Sequence, residues 1–447
     1  MSNHQLSIRF LIVGGMVLGM LIPLFFVGGV ADERQRYFER AAAEVSHSWG
    51  GQQSINGPFL IIPVIHNYQI NDDGEVEFGE RRLHRVLLPE SLQVDARLDH
   101  QFRRRAIYDV PVYRANLTVA GSFSVPGLRE LIGNDDNVLL DEARLVFGVA
   151  NTQAISEAAA LHWGEATPMW EAGSGEPWLA NGIHVALPPL TAESEVPFEF
   201  QLGLKGTDTF SVLPVGGQST ISMASTWPSP SFQGRYLPDT HETSDAGFTA
   251  RWSIHELARS LPGIWTVERS QPQFGHDYAS VALHDPVSGY HVIERGIKYG
   301  LLFVALTYLT FICFELSTPI RFHFVQYGVV GLGLVLFYLA LLSLSEHMPF
   351  IAAYLIATAC LTGLIAWYVH VMSRSRRLAS IVFAVISSLY VVLYTLLKLE
   401  AFSLLAGTAV LLVGLGALMY ATRGLSEIAE DDPEPGSGDW SDSVAVS

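Results

Sequence analysis

Five apolar runs crowd the last third of this chain, at about 300–316, 325–344, 350–370, 378–397 and 401–420, and a sixth stands alone at 10–30. A helix crosses the hydrocarbon core of a bilayer with about 20 mostly apolar residues. No water is available there, so the backbone must satisfy its own N–H and C=O groups, and runs of this length are committed to helix. The isolated run, "FLIVGGMVLGMLIPLFFVGGV", holds no charge. Its last residues with Ala31 offer a small-x-small triplet, Gly29-Val30-Ala31, so signal-peptide cleavage is the competing reading. The apolar part of a signal peptide is usually about 7–15 residues, and this run is longer, so we read it as an anchor. The connectors "STPIRFHF", "SEHMP", "VMSRSRR" and "KLE" are turn-sized. One span plus five is six, which puts both termini on one side.

Lysine and arginine in short loops mark the cytoplasmic side. Arg321, Arg374, Arg376, Arg377 and Arg423 fall on one face of the C-terminal block, whereas Lys398 stands alone between spans on the other. The first face, and both termini with it, is therefore expected to be cytoplasmic. Arg34, Arg36 and Arg40 disagree, but they alternate with Asp32, Glu33 and Glu39 and lead into a long domain, where the rule weakens.

That domain, residues 31–295, would then lie outside the cytoplasm. It repeats a period of two: Leu92, Val94, Ala96 and Leu98 alternate with Gln93, Asp95, Arg97 and Asp99. The same pattern holds at Ala115, Leu117, Val119, Gly121, Phe123 and Val125, at Phe198, Phe200, Leu202 and Leu204, and at Phe248, Ala250, Trp252 and Ile254. Such alternation belongs to half-buried strands, and the Gly and Pro clusters "LPVGGQ" and "WPSPSFQG" read as turns between them. Residues Arg34 to Val45 read as a short helical stem continuing the first span. Both cysteines, Cys313 and Cys360, lie in apolar runs, so the domain must stand without disulfides.

The expected architecture is a multi-pass α-helical membrane protein of six transmembrane helices, with a large, mainly β extracytoplasmic domain between helix 1 and helix 2. Residues 1–30 form the N-terminus and first span, 31–295 the periplasmic domain, 296–421 a five-helix bundle, and 422–447 an acidic tail. The tail, rich in Asp, Glu, Gly, Ser and Pro, reads as disordered. A composition of 49% hydrophobic and 16% charged residues fits a membrane protein that carries a soluble part. A net charge of −17 argues against nucleic acid, which needs clustered cations. The lipid bilayer is the partner implied directly; an envelope protein or cell-wall component could meet the periplasmic domain.

Several stretches carry a family resemblance: "NGPFLIIPV" (56–64), "LLPESLQVDARL" (87–98), "RRRAIYDVPVYRANL" (103–117), "STWPSPSFQGRYLP" (225–238), "RGIKYGLLFVALTYLTFICFEL" (295–316), "VQYGVVGLGLVLFYLALLSLSEH" (325–347) and the first span. With these the chain resembles the CreD family of bacterial inner-membrane proteins over nearly its whole length, the acidic tail excepted. The resemblance implies a role in envelope integrity or envelope stress, linked with two-component regulation and with altered tolerance to colicins and β-lactams. It implies no catalytic residues and no cofactor.

Ser345-Glu346-His347 carries the side chains of a hydrolytic triad, but neighbours in a helix or strand diverge, whereas triad groups must converge. We expect a turn instead, with His347 on the carbonyls that end one span, Glu346 near the positive start of the next, and Pro349 in its first turn. His276, Asp277, His284, Asp285 and His291 form a loose series whose spacing matches no compact metal motif. Trp227 and Phe232, around two prolines, could bind peptide or glycan, though packing on the sheet is the simpler expectation. Ionisable groups of the spans stay near their ends: Glu315, Lys398 and Glu400. Their scarcity weakens a transporter reading. Gly15-x-x-x-Gly19 and Ala353-x-x-x-Ala357 fit close helix packing. The leading function is a non-catalytic sensing, interaction or structural role. A transporter or flippase for an envelope component is the alternative, and an envelope hydrolase the weakest.

Overall fold

Helix and strand divide the chain as the apolar periods require. The computed structural model describes residues 3–72, 75–124, 136–190, 195–268, 274–283, 289–317, 321–398 and 403–422. Two compact units result: residues 1–37 with 287–447, and residues 38–286. The acidic tail, Glu400, Arg423, His284 and Asp285 lie outside the described residues.

The first unit is helical. It holds α1 (Asn3–Gly19), the opening part of α2 (Leu21–Trp49), α3 (Gly289–Ser317), α4 (Phe324–Ser345), α5 (Phe350–Ser373), α6 (Arg376–Lys398) and α7 (Ser403–Thr422). Among the described residues, five stretches are long and apolar enough to cross a membrane, beginning with Ile8–Trp49 and continuing through α3 to α6. α7 is a sixth apolar helix, with Leu405–Gly416 as its apolar centre.

Helix α3 starts earlier than the apolar run at 300. Val292 and Ile293 are buried, and the i,i+4 pair Glu294–Lys298, at 2.8 Å, extends the helix on its polar side. α3 packs on α1, α4, α6 and α7. A Cβ at Gly300 would lie 2.8 Å from Leu24, one at Gly331 2.0 Å from the Tyr308 hydroxyl and one at Gly414 2.6 Å from Leu306, so these three glycines are close-approach points. Gly15 and Gly19 are not: a Cβ there meets nothing within 4 Å, which corrects their reading as a helix contact. Ala353 and Ala357 are buried.

The second unit is a β-sandwich on a short helical stem. A ten-stranded sheet is built around Gln53–Asp72, and an eight-stranded sheet around Ser91–Arg105 and Tyr108–Ser124. The alternating residues of the sequence face inward: Leu92, Val94, Ala96, Leu98, Leu117, Val119, Phe200 and Trp252 are all buried. Rings meet between the sheets, as with Phe147 and Phe200 at 5.0 Å. Two pairings are parallel: Gln218–Ser225 on Ser91–Leu98, and Gln53–Ile55 on Phe210–Val212. The stretch Ile55–Val64 is buried without interruption because its strand is central in the sheet and covered on both faces.

Candidate functional site

Alternation that drives one face of the eight-stranded sheet into the core turns the other face outward. There the sheet curves around an open concavity of about 1090 Å³. Cross-strand register sets Gln201, Thr118, Asp95, Ser222, Arg251 and Thr240 side by side in one row. A second row runs from Glu157 past Gly203 to Asn116, Arg97, Ala224, Thr249 and Glu242. The first row crosses six strands and the second seven, so with strands about 4.8 Å apart the trough is about 24–29 Å long.

Local hydrogen bonds hold its side chains. Gln93 donates to Asp95 at 2.7 Å, while Asp99 receives both Arg97 at 3.4 Å and Asn116 at 3.2 Å. The floor is narrow at Gly203, where a Cβ would lie 2.7 Å from the Ser156 hydroxyl. Carboxylates, guanidinium groups, amides and hydroxyls thus present donors and acceptors of both signs along an open track. Chemically, this suits an extended polar ligand held by many hydrogen bonds. The sequence displayed Asp95 and Arg97 as the polar half of a strand. It could not display their neighbours Arg251 and Asn116, because pairing register between distant strands leaves no mark in either strand.

A second polar group is interior. The Glu176 side chain is fully buried, accepts from Arg144 and from Trp178 Nε1 (3.1 Å), and stands 3.6 Å from His84 Nδ1. Gly175 takes φ +71°, and a Cβ there would lie 2.8 Å from the Arg144 guanidinium. Ser174 accepts from the Glu176 N–H at 3.0 Å and donates to the Leu179 carbonyl. A buried carboxylate persists only when paired in this way, and here it pins a loop to the ten-stranded sheet. In sequence, "GSGEP" reads simply as a turn.

The structure separates the other candidates. Ser345 donates to the Leu342 carbonyl at 2.9 Å, and His347 Nδ1 lies 3.1 Å from the Ser343 carbonyl, so both side chains serve the end of α4. Glu346, only 9% exposed, faces Arg34 of α2 at 3.8 Å. Pro349 is the N-cap residue of α5. Trp227 is buried, with its ring 5.4 Å from His100 and its Nε1 donating to the Ser229 carbonyl. Phe232 packs at 5.8 Å on Phe248 and 6.0 Å on Trp252. Asp277 binds Arg235 at 2.8 Å. Among the described residues, no three of His, Cys, Asp and Glu are grouped to hold a metal ion. Glu315 accepts from Arg9 of α1 at 3.0 Å and from the Phe322 N–H at 2.6 Å. Burial pushes the hydroxyl of Tyr113 in the β unit well above the usual phenol range, and raises that of Tyr278.

A family model described as inner membrane protein CreD matches residues 5–426. The inner membrane protein CreD of Escherichia coli is 32% identical over 423 residues, covering 94% of this chain and 93% of that protein. Among solved structures, an M1 zinc metallopeptidase of Deinococcus radiodurans, crystallised as a mutant with a Tyr-Ser-Ala substrate, aligns at 11% identity with a TM-score of 0.19. That alignment spans 37% of this chain and 38% of the peptidase, too faint a likeness to carry an argument.

Proposed function

Because the chain belongs to the CreD family of inner membrane proteins, we propose that it contributes to envelope integrity by binding rather than by catalysis. The contact surface is the trough of its β unit, and the ligand is an extended polar component of the envelope. The helices form six spans, both termini are cytoplasmic, and the β unit projects to the periplasmic side. One observation carries the reading: two rows of charged and hydrogen-bonding side chains line an open track on a sheet whose opposite face is core. Rigid strands preorganise such a track, which lowers the ordering cost of binding. The arginines of the short loops support the orientation.

The test replaces Arg97 and Arg251 together by alanine and scores complementation of a strain lacking the protein under envelope stress. Both side chains are exposed, so abundance should stay normal while complementation falls. Full complementation at normal abundance would place the contact elsewhere.

A further inference from the structure

In a chain of net charge −17, residues 100–114 carry four arginines, Arg103, Arg104, Arg105 and Arg114, against a single acid, Asp109. They form the tip of the hairpin between Ser91–Arg105 and Tyr108–Ser124, where register sets Arg105 opposite Tyr108. The hairpin is fastened along the stem. Arg103 lies over the Trp49 ring at 4.1 Å, with Lys205 at 5.3 Å and Arg114 at 6.0 Å from the same ring. Arg105 bonds Glu44 at 2.9 Å, Val110 and Val112 pack on Val45, and the Tyr108 ring meets Phe38 at 5.7 Å. Descending the hairpin from Tyr113 to Tyr108 therefore retraces the stem from Trp49 to Phe38. The turn at Ala106-Ile107 points to the end of the stem at which the chain arrives from the first apolar run. Seven residues separate Val30 from Phe38 in sequence, and eight helical steps span about 12 Å.

We propose that this tip is a membrane-surface contact for anionic phospholipid headgroups. Its composition has the two halves such a contact needs. Ile107, in the turn itself, is an exposed apolar group, 40% accessible, that can enter the headgroup boundary. The guanidinium groups take phosphate oxygens in the paired geometry that favours arginine over lysine. Acids do not cancel the charge: Glu44 offsets Arg105, Asp109 stands opposite Arg104, and Arg103 and Arg114 remain together with Lys205. The contact fastens the hairpin tip to the lipid surface.

The test uses the full chain in lipid nanodiscs, with both native cysteines replaced by serine and an environment-sensitive fluorophore on Ile107→Cys. In discs containing about one-third phosphatidylglycerol, brominated lipid should quench the label. In purely phosphatidylcholine discs, at about 0.5 M salt, or with Arg103, Arg104 and Arg105 replaced by glutamine, quenching should fall at least twofold. Arg104→Gln alone, at a solvent-facing position, should give a smaller fall in the same direction and cannot act through misfolding. A label that is unquenched in the anionic discs overturns the proposal, and so does quenching that ignores lipid charge, salt and the arginines.

Discussion

Gly206 and Tyr113 face each other across two strands, and the fully buried ring occupies the space a side chain on the glycine would take. A Cβ at Gly206 would come within 2.3 Å of that ring. Gly206→Ala should therefore cost the β unit about 1–3 kcal/mol in urea unfolding, as overpacking does. Tyr113 donates to the Thr209 carbonyl at 2.8 Å, and Tyr113→Phe, which orphans that acceptor, should cost about 1–2 kcal/mol. Burial raises the folded-state pKa of this phenol above its unfolded value of 10.0, so its stabilising contribution is complete below that pH and fades as pH rises beyond it. The unit should lose stability in strong alkali, and Tyr113→Phe should lose less. At the turn after α4, Ser345→Ala removes only a hydroxyl bonded to its own helix, so it should be nearly silent in abundance and complementation. His347→Ala and Glu346→Ala should cost cap-sized amounts, about 0.5–2 kcal/mol, read as detergent melting. Loss of function for Ser345→Ala at normal abundance would defeat that account. The spread of this triplet was readable from helix geometry alone. The Glu176 clamp was not, because its partners Arg144 and His84 are remote in sequence.

Strands that alternate announced themselves. Ser91–Leu98 reads exposed then buried in strict turn, because one face meets the core and the other water. The run Ile55–Val64 was silent on its type, since burial on both faces erases the period that separates strand from helix. The parallel pairing of Gln218–Ser225 with Ser91–Leu98 was also invisible, because strand order is settled by packing of whole sheets. The outer segment, expressed alone from about residue 32 to 293, should fold with a β-dominated circular dichroism spectrum. Reductant should leave its melting temperature unchanged, since Cys313 and Cys360 lie outside it. In the helical unit, the apolar runs gave α4, α5 and α6 to within a few residues, but not the glycines that matter. Gly331→Ala should push Tyr308 off its bond to the Tyr327 carbonyl, now 2.7 Å, and lower the detergent melting temperature by several degrees.

For the whole molecule, the proposed orientation predicts that reporter fusions at Pro228 and Met348 signal an extracytoplasmic position, and fusions at Ser375 and Gly436 a cytoplasmic one. A cytoplasmic signal at Pro228 would reverse it. The bond between Arg9 and Glu315 also has a history in time. Its partners are 306 residues apart in the chain, on either side of the entire β unit. At about 5–20 residues per second, the ribosome finishes Glu315 roughly 15–60 s after Arg9. For most of that interval, until synthesis reaches Gly289, α1 has none of α3 to pack on, and the β unit is made while the helical core is still one-sided. Assembly of the bundle is therefore the last act of synthesis: a chain stalled before α3 would hold a complete β unit on an unclasped first helix.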